Sequence, residues 1–139
     1  MADIKKFAVE QTGRLHLRDA ADQLMFADDG KTEPMVVVVY SPGSKQYAKA
    51  QAAQQNRLID SLRRKGDSSR TPEQIAEEHA VYLSDCTHSF ENIEYGDTPL
   101  DASKLFHAVY SDRELGFIVD QVAGYLKDWS NFTKASTKS

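Results

Sequence analysis

The sequence predicts an α+β fold, a small N-terminal antiparallel β-hairpin or sheet followed by a mainly α-helical C-terminal part of about four helices. Three stretches carry the prediction. Val36-Val37-Val38-Val39 is a run of β-branched residues, poor in a helix and suited to a strand covered on both faces. Residues 47–65 hold strong helix formers and neither glycine nor proline. Residues 111–132 place Leu115, Ile118, Val119, Val122, Tyr125, Leu126, Trp129 and Phe132 within about 140° of arc on a helical wheel.

In chain order, Lys6-Phe7-Ala8-Val9 suggests a short strand or a helical turn. Leu15-His16-Leu17-Arg18 alternates apolar with polar, and Gln23-Leu24-Met25-Phe26 leads into Ala27-Asp28-Asp29-Gly30, where Asp-Gly suits the left-handed backbone of a tight turn. Met35 to Tyr40 returns as the valine strand, with Pro34 at its start, where no ladder N–H is needed. Ser41-Pro42-Gly43-Ser44 breaks the pattern, and a helix follows from Tyr47 to Lys65. Its apolar stripe is thin: Tyr47, Leu58, Ile59 and Leu62 stand out from alanine, glutamine and lysine. The face is either solvated or, through its alanines, a groove or filament contact.

After the charged linker 66–70, Thr71-Pro72-Glu73-Gln74 combines a capping box with proline at the first helical position. Ile75, His79, Tyr82, Leu83, Cys86 and Phe90 then recur at helical spacing, so this helix is expected to face the core as far as Phe90. Residues 93–100 read as a loop. Asp101 caps a short helix, Ala102 to Tyr110. Ser111 with Glu114 is a second capping box and opens the last helix, Ser111 to Phe132. The second and fourth helices are expected to carry most of the core. One domain spans 1–132, β-rich over 1–40 and helical over 44–132, with a disordered polar tail over 133–139.

Composition narrows the function classes. The 139 residues are 40% hydrophobic and 27% charged, and 17 basic against 21 acidic residues give a net charge of -4. A phosphate-neutralising nucleic-acid binder ordinarily carries a strong basic excess, so no nucleic-acid partner is expected. Cys86 stands alone and makes no internal disulfide, which fits a reducing cytoplasm. No leader and no membrane span is recognisable, and no membrane partner is expected.

Residues capable of chemistry form no recognisable site. His79, Cys86, His88 and His107 raise the question of zinc, but His88 points about 200° away from Cys86 on a helix, and structural sites favour closer ligand pairs. Ser41, Ser44 and Ser84 lie in no G-x-S-x-G setting, and Gly43 belongs to no phosphate loop. Asp19, Asp22, Asp28 and Asp29 are too irregular for a calcium loop, and Glu77-Glu78 reads as a solvated face. No catalytic residue, metal ligand or cofactor is assigned, and the expectation is a protein that holds another protein.

One arrangement resembles a known family. The N-terminal sheet ending in Val36-Val37-Val38-Val39-Tyr40-Ser41-Pro42-Gly43-Ser44, with Tyr47 opening a helix, resembles the tail assembly chaperones of long-tailed bacteriophages. So do Ala80-Val81-Tyr82-Leu83-Ser84-Asp85-Cys86-Thr87, Phe90-Glu91-Asn92-Ile93, Gly96 and Phe106-His107-Ala108-Val109-Tyr110. The end of the chain, Ile118-Val119-Asp120-Gln121-Val122 and Trp129-Ser130-Asn131-Phe132, is similar to the family's last helix. Many members carry tryptophan where Phe90 stands here.

The resemblance implies a non-enzymatic chaperone of the host cytoplasm, absent from the mature virion. Such proteins bind the tape measure protein, keep it soluble and help recruit tail tube subunits, often through a longer form made by ribosomal frameshifting. A homo-oligomer is expected. The candidate contact residues are Phe90, Tyr125, Trp129 and Phe132, since aromatics dominate binding hot spots, with Val37 and Val39 on a strand read as a sheet edge. The alternative is a virion protein of the tail completion or head–tail connector type.

Overall fold

The valine strand lies at the centre of a three-stranded antiparallel sheet, not at its edge. In the computed structural model, which describes Met1 and residues 3–65, 71–96 and 99–134, the strands are β1 (Thr12–His16), β2 (Val36–Tyr40) and β3 (Thr87–Glu91), in the order β1-β2-β3. Thr12 stands opposite Tyr40, His16 opposite Val36 and Val37 opposite Phe90, with an irregularity between Val38 and Val39. Val36 to Val39 are all buried, so the expectation of a strand covered on both faces holds.

The two faces are covered differently. Val37 and Val39 point into the main core. Arg14 on β1 and Glu91 on β3 share the other face with Val36 and Val38, and their bidentate ion pair reaches across β2 above these valines. Between β1 and β2 the chain makes two further bridges, Arg18 to Leu24 and Phe26 to Pro34. The loop at their end is organised by Asp28, whose carboxylate accepts from the Thr32 and Glu33 amides and the Thr32 hydroxyl. The left-handed residue is Lys31, at φ 58°, and not Gly30, because the Asp28 contacts move the reversal one position on.

Four helices follow the expected order with different limits: α1 (Lys45–Lys65), α2 (Pro72–Asp85), α3 (Ala102–Ser111) and α4 (Gly116–Lys127). Ser44 begins α1, its hydroxyl accepting from the Tyr47 amide at 3.1 Å while donating to the Ser41 carbonyl at 2.7 Å. The Thr71–Gln74 capping box forms as predicted, and Asp101 caps α3.

Two expectations fail. The second helix does not run to Phe90: it stops at Asp85, and Thr87–Glu91 becomes β3, so the strands are not all N-terminal. Cys86 and Phe90 are four apart and imitate a helical stripe, but the free edge of β2 offers Thr87–Glu91 a backbone ladder, and the ladder wins. The last helix is also not continuous from Ser111 to Phe132. Ser111 ends α3, and extended Asp112 caps a 3-10 turn, Arg113–Leu115, by accepting from the Glu114 amide at 2.9 Å. The predicted Ser111–Glu114 capping box therefore does not form. After Lys127, Asp128 caps a further 3-10 turn, Trp129–Phe132.

The core lies between the inner sheet face and the helices. Leu17, Val37 and Val39 meet Ala80 and Leu83 of α2, Phe106, Val109 and Tyr110 of α3, and Ile118, Val122 and Leu126 of α4. The third helix thus shares the core with the second and fourth. At its centre the Tyr110 hydroxyl lies 2.7 Å from Thr87 Oγ1, which itself donates to the Leu83 carbonyl at 2.7 Å, leaving both hydroxyls satisfied. Of the tail expected over 133–139, only Thr133 and Lys134 are described and both are exposed; the linker 66–70 lies outside the described residues.

Candidate protein-binding surface

The six residues singled out from the sequence fall into three environments. Val37 and Val39 are fully buried in the central strand, so they present nothing to a partner. Phe132 is also fully buried: its 3-10 turn folds back on β1, and the Glu10 amide donates to the Phe132 carbonyl at 2.8 Å. These three are corrected from surface to core.

Phe90 and Tyr125 are partly buried and serve as packing residues. The Phe90 ring lies 4.6 Å from Phe106 and 5.8 Å from Tyr110, centroid to centroid. Beside it is an apolar cavity of ≈ 100 Å³, bounded in part by Leu17, Met25, Met35 and Ile118. Tyr125 meets Phe132 edge-on at 5.2 Å and donates its hydroxyl to the Arg14 carbonyl at 3.0 Å, tying α4 to β1. Burial raises its phenol pKa above the ordinary value.

Trp129 alone of the six is open, at 55% exposure. Its ring passes close to Gly43, where an added Cβ would stand 3.7 Å from Trp129 Cζ3 and 2.8 Å from Val9 Cγ2. Ile4 and Phe7, in the N-terminal 3-10 turn, are exposed as well.

A larger apolar surface lies on the pair α1 and α2. Tyr47, near the start of α1, meets Tyr82, near the end of α2, and Gln51 donates to both phenolic oxygens. The helices are therefore antiparallel, and the start of α2 lies at the same end of the pair as the end of α1. At that end Leu58, Ile59, Leu62 and Ile75 are 40%, 46%, 42% and 51% exposed. Only Ala50 of α1 is buried among its described side chains. The thin stripe visible in the sequence is thus mostly a surface. Adjacent Leu58 and Ile59 carried that signal, because neighbours on a helix stand about 100° apart and a narrow seam cannot hold both.

The chemistry-bearing residues are engaged elsewhere. His107 pairs with Glu77 at 2.8 Å across α3 and α2, His79 stacks on Tyr82, and His88 meets Tyr40 edge-on. Among the described residues, no three His, Cys, Asp or Glu side chains come together as metal ligands. Cys86 is buried, and burial pushes its thiol up to about 12. Ser84 donates to the Ala80 carbonyl. Among the described residues no helix is long and apolar enough to cross a membrane.

Comparison with protein-family models, with curated proteins and with solved structures finds no match to this chain.

Proposed function

We propose that this chain is a bacteriophage tail assembly chaperone that binds the tape measure protein, keeps it soluble and helps bring tail tube subunits to it, without catalysis. The observation that carries the reading is the set of four exposed aliphatic side chains, Leu58, Ile59, Leu62 and Ile75, at one end of an antiparallel helix pair. Large apolar side chains grouped on a helical surface suit reversible capture of another helical protein. A tape measure is long and helical, with apolar faces that need cover until the tube encloses it. The sequence resemblance over the sheet, α2, β3 and the chain end supports the same role. On this reading the protein works in the host cytoplasm as a homo-oligomer, and a longer frameshifted form supplies the contact to the tube.

Co-expression with the neighbouring tape measure gene tests the proposal. The tape measure protein should move from the insoluble to the soluble fraction and co-purify with this chain. A tape measure equally insoluble with and without it removes the reading. Mass spectrometry of purified virions separates the alternative, since a tail completion or connector protein would be present there in stoichiometric amount.

A further inference from the structure

We infer that the outer face of α1 is a docking strip for an acidic amphipathic helix. The inference deepens the chaperone reading and rests on it for the identity of the natural partner. On a wheel of about 100° per residue, Ala48, Ala52, Gln55, Leu58, Ile59 and Leu62 fall within about 120° of arc. Of these, all are exposed, and none carries a charge. The strip runs for about 20 Å at 1.5 Å per residue, the length of a partner segment of about four turns. Small residues at its N-terminal end allow close approach of a second helix, and the larger aliphatics at the other end supply apolar area.

Charge selects the occupant. The helix holds six of the chain's 17 basic residues and one of its 21 acidic ones, so α1 is +5 while the remainder of the chain is -9. Along the flank of the strip turned away from α2 lie exposed Lys45, Lys49 and Arg63, against Asp60 alone. A two-fold pairing of α1 with α1 of a second copy would set +5 against +5, which opposes an isologous contact. A helix with an apolar i, i+3, i+4, i+7 stripe flanked by Asp and Glu satisfies both the strip and its rim.

The test uses two fluorescein-labelled helical peptides of about five turns, identical in a leucine stripe and flanked by glutamate in one and by lysine in the other. The glutamate peptide should bind the full chain by anisotropy, more weakly as salt rises, and the lysine peptide should not. Combining Leu58→Ser, Ile59→Ser and Leu62→Ser should weaken binding by about tenfold or more, with unchanged circular dichroism, because none of these side chains belongs to the core or packs against it. Lys45→Glu with Arg63→Glu should weaken the glutamate peptide and strengthen the lysine one.

Equal binding of both peptides, or binding unaffected by the serine substitutions, overturns the proposal. So does an oligomer of the chain that the serine substitutions dissociate while neither peptide binds, since a second copy would then occupy the face. Co-expression separates the two levels. If the wild-type chain solubilises the tape measure and the serine variant does so equally, the strip is wrong and the chaperone reading stands. If the wild-type chain fails while the glutamate peptide binds through the strip, the reading falls and the docking chemistry stands.

Discussion

The ring of Phe132 fills the space that a side chain at residue 13 would need: a Cβ on Gly13 would stand 2.6 Å from Phe132 Cε1 and 2.9 Å from the Tyr125 hydroxyl. This contact closes the C-terminal 3-10 turn over β1. Gly13→Ala is therefore expected to destabilise the fold by about 1–3 kcal/mol through overpacking. Phe132→Ala should cost about 3–5 kcal/mol by leaving a cavity. In the double variant the added methyl enters vacated space, so the two losses should sum to less than their separate values in urea titrations. Strict additivity would mean that residue 13 and the ring are not in contact.

His79 gives the fold a pH dependence of defined sign. Burial holds its pKa below the ordinary value of 6.5, the charge of Lys127 lowers it further, and Asp120 partly opposes them. The unfolded chain thus takes up the proton more readily than the native one. The His79 contribution is complete above about pH 6.5 and is lost as pH falls below it, through the lowered native value. Urea midpoints at pH 7.5 and 5.5 should differ for the wild type and differ less for His79→Gln. An equal difference in both would remove His79 as the cause.

Cys86 should be a silent thiol in the native state. It is fully buried at the end of α2, and burial, with a smaller contribution from Asp85, pushes its pKa up to about 12. Thiolate is the reactive form, so Ellman's reagent at pH 8 should label the protein only as fast as it opens, and immediately in denaturant. Fast labelling without denaturant would place the thiol at the surface.

Several elements that local chemistry decides were legible in the sequence. The Thr71–Gln74 box, the Asp101 cap, the Ser41–Ser44 break and the buried valines all form, because each depends on residues within a turn of one another or on the β-branching of one run. Long-range pairing was not legible. Phe90 keeps helical spacing from Cys86 and still joins a strand, because the partner of Thr87–Glu91 is β2, about 50 residues earlier. The same pairing moves Val37 and Val39 from a supposed edge to the sheet centre. Of the six contact candidates only Trp129 is largely exposed, while the exposed aliphatics of α1 were visible in the sequence as a stripe and became a surface only once α2 was placed.

The break between α3 and α4 yields a prediction that separates two readings of the same four residues. Ser111-Asp112-Arg113-Glu114 reads as a capping box headed by Ser111, yet Ser111 is the last residue of α3 and the cap is Asp112. One Asp112 carboxylate oxygen accepts from the Glu114 amide at 2.9 Å, and the other accepts from the Tyr95 hydroxyl at 2.8 Å, joining the loop after β3 to the helix break. The Ser111 hydroxyl is exposed and makes only long contacts, at 3.4 Å, to His107. Asp112→Ala should cost about 1 kcal/mol, the usual loss of an N-cap. Ser111→Ala should stay within about 0.5 kcal/mol of wild type, as surface substitutions away from caps do. The Tyr95 phenol, held above its ordinary pKa chiefly by its hydrogen bond to Asp112, should titrate at lower pH in Asp112→Ala and be unmoved in Ser111→Ala. Ultraviolet titration of the two variants gives the answer, and a larger loss of stability from Ser111→Ala would restore the continuous helix that the sequence alone suggests.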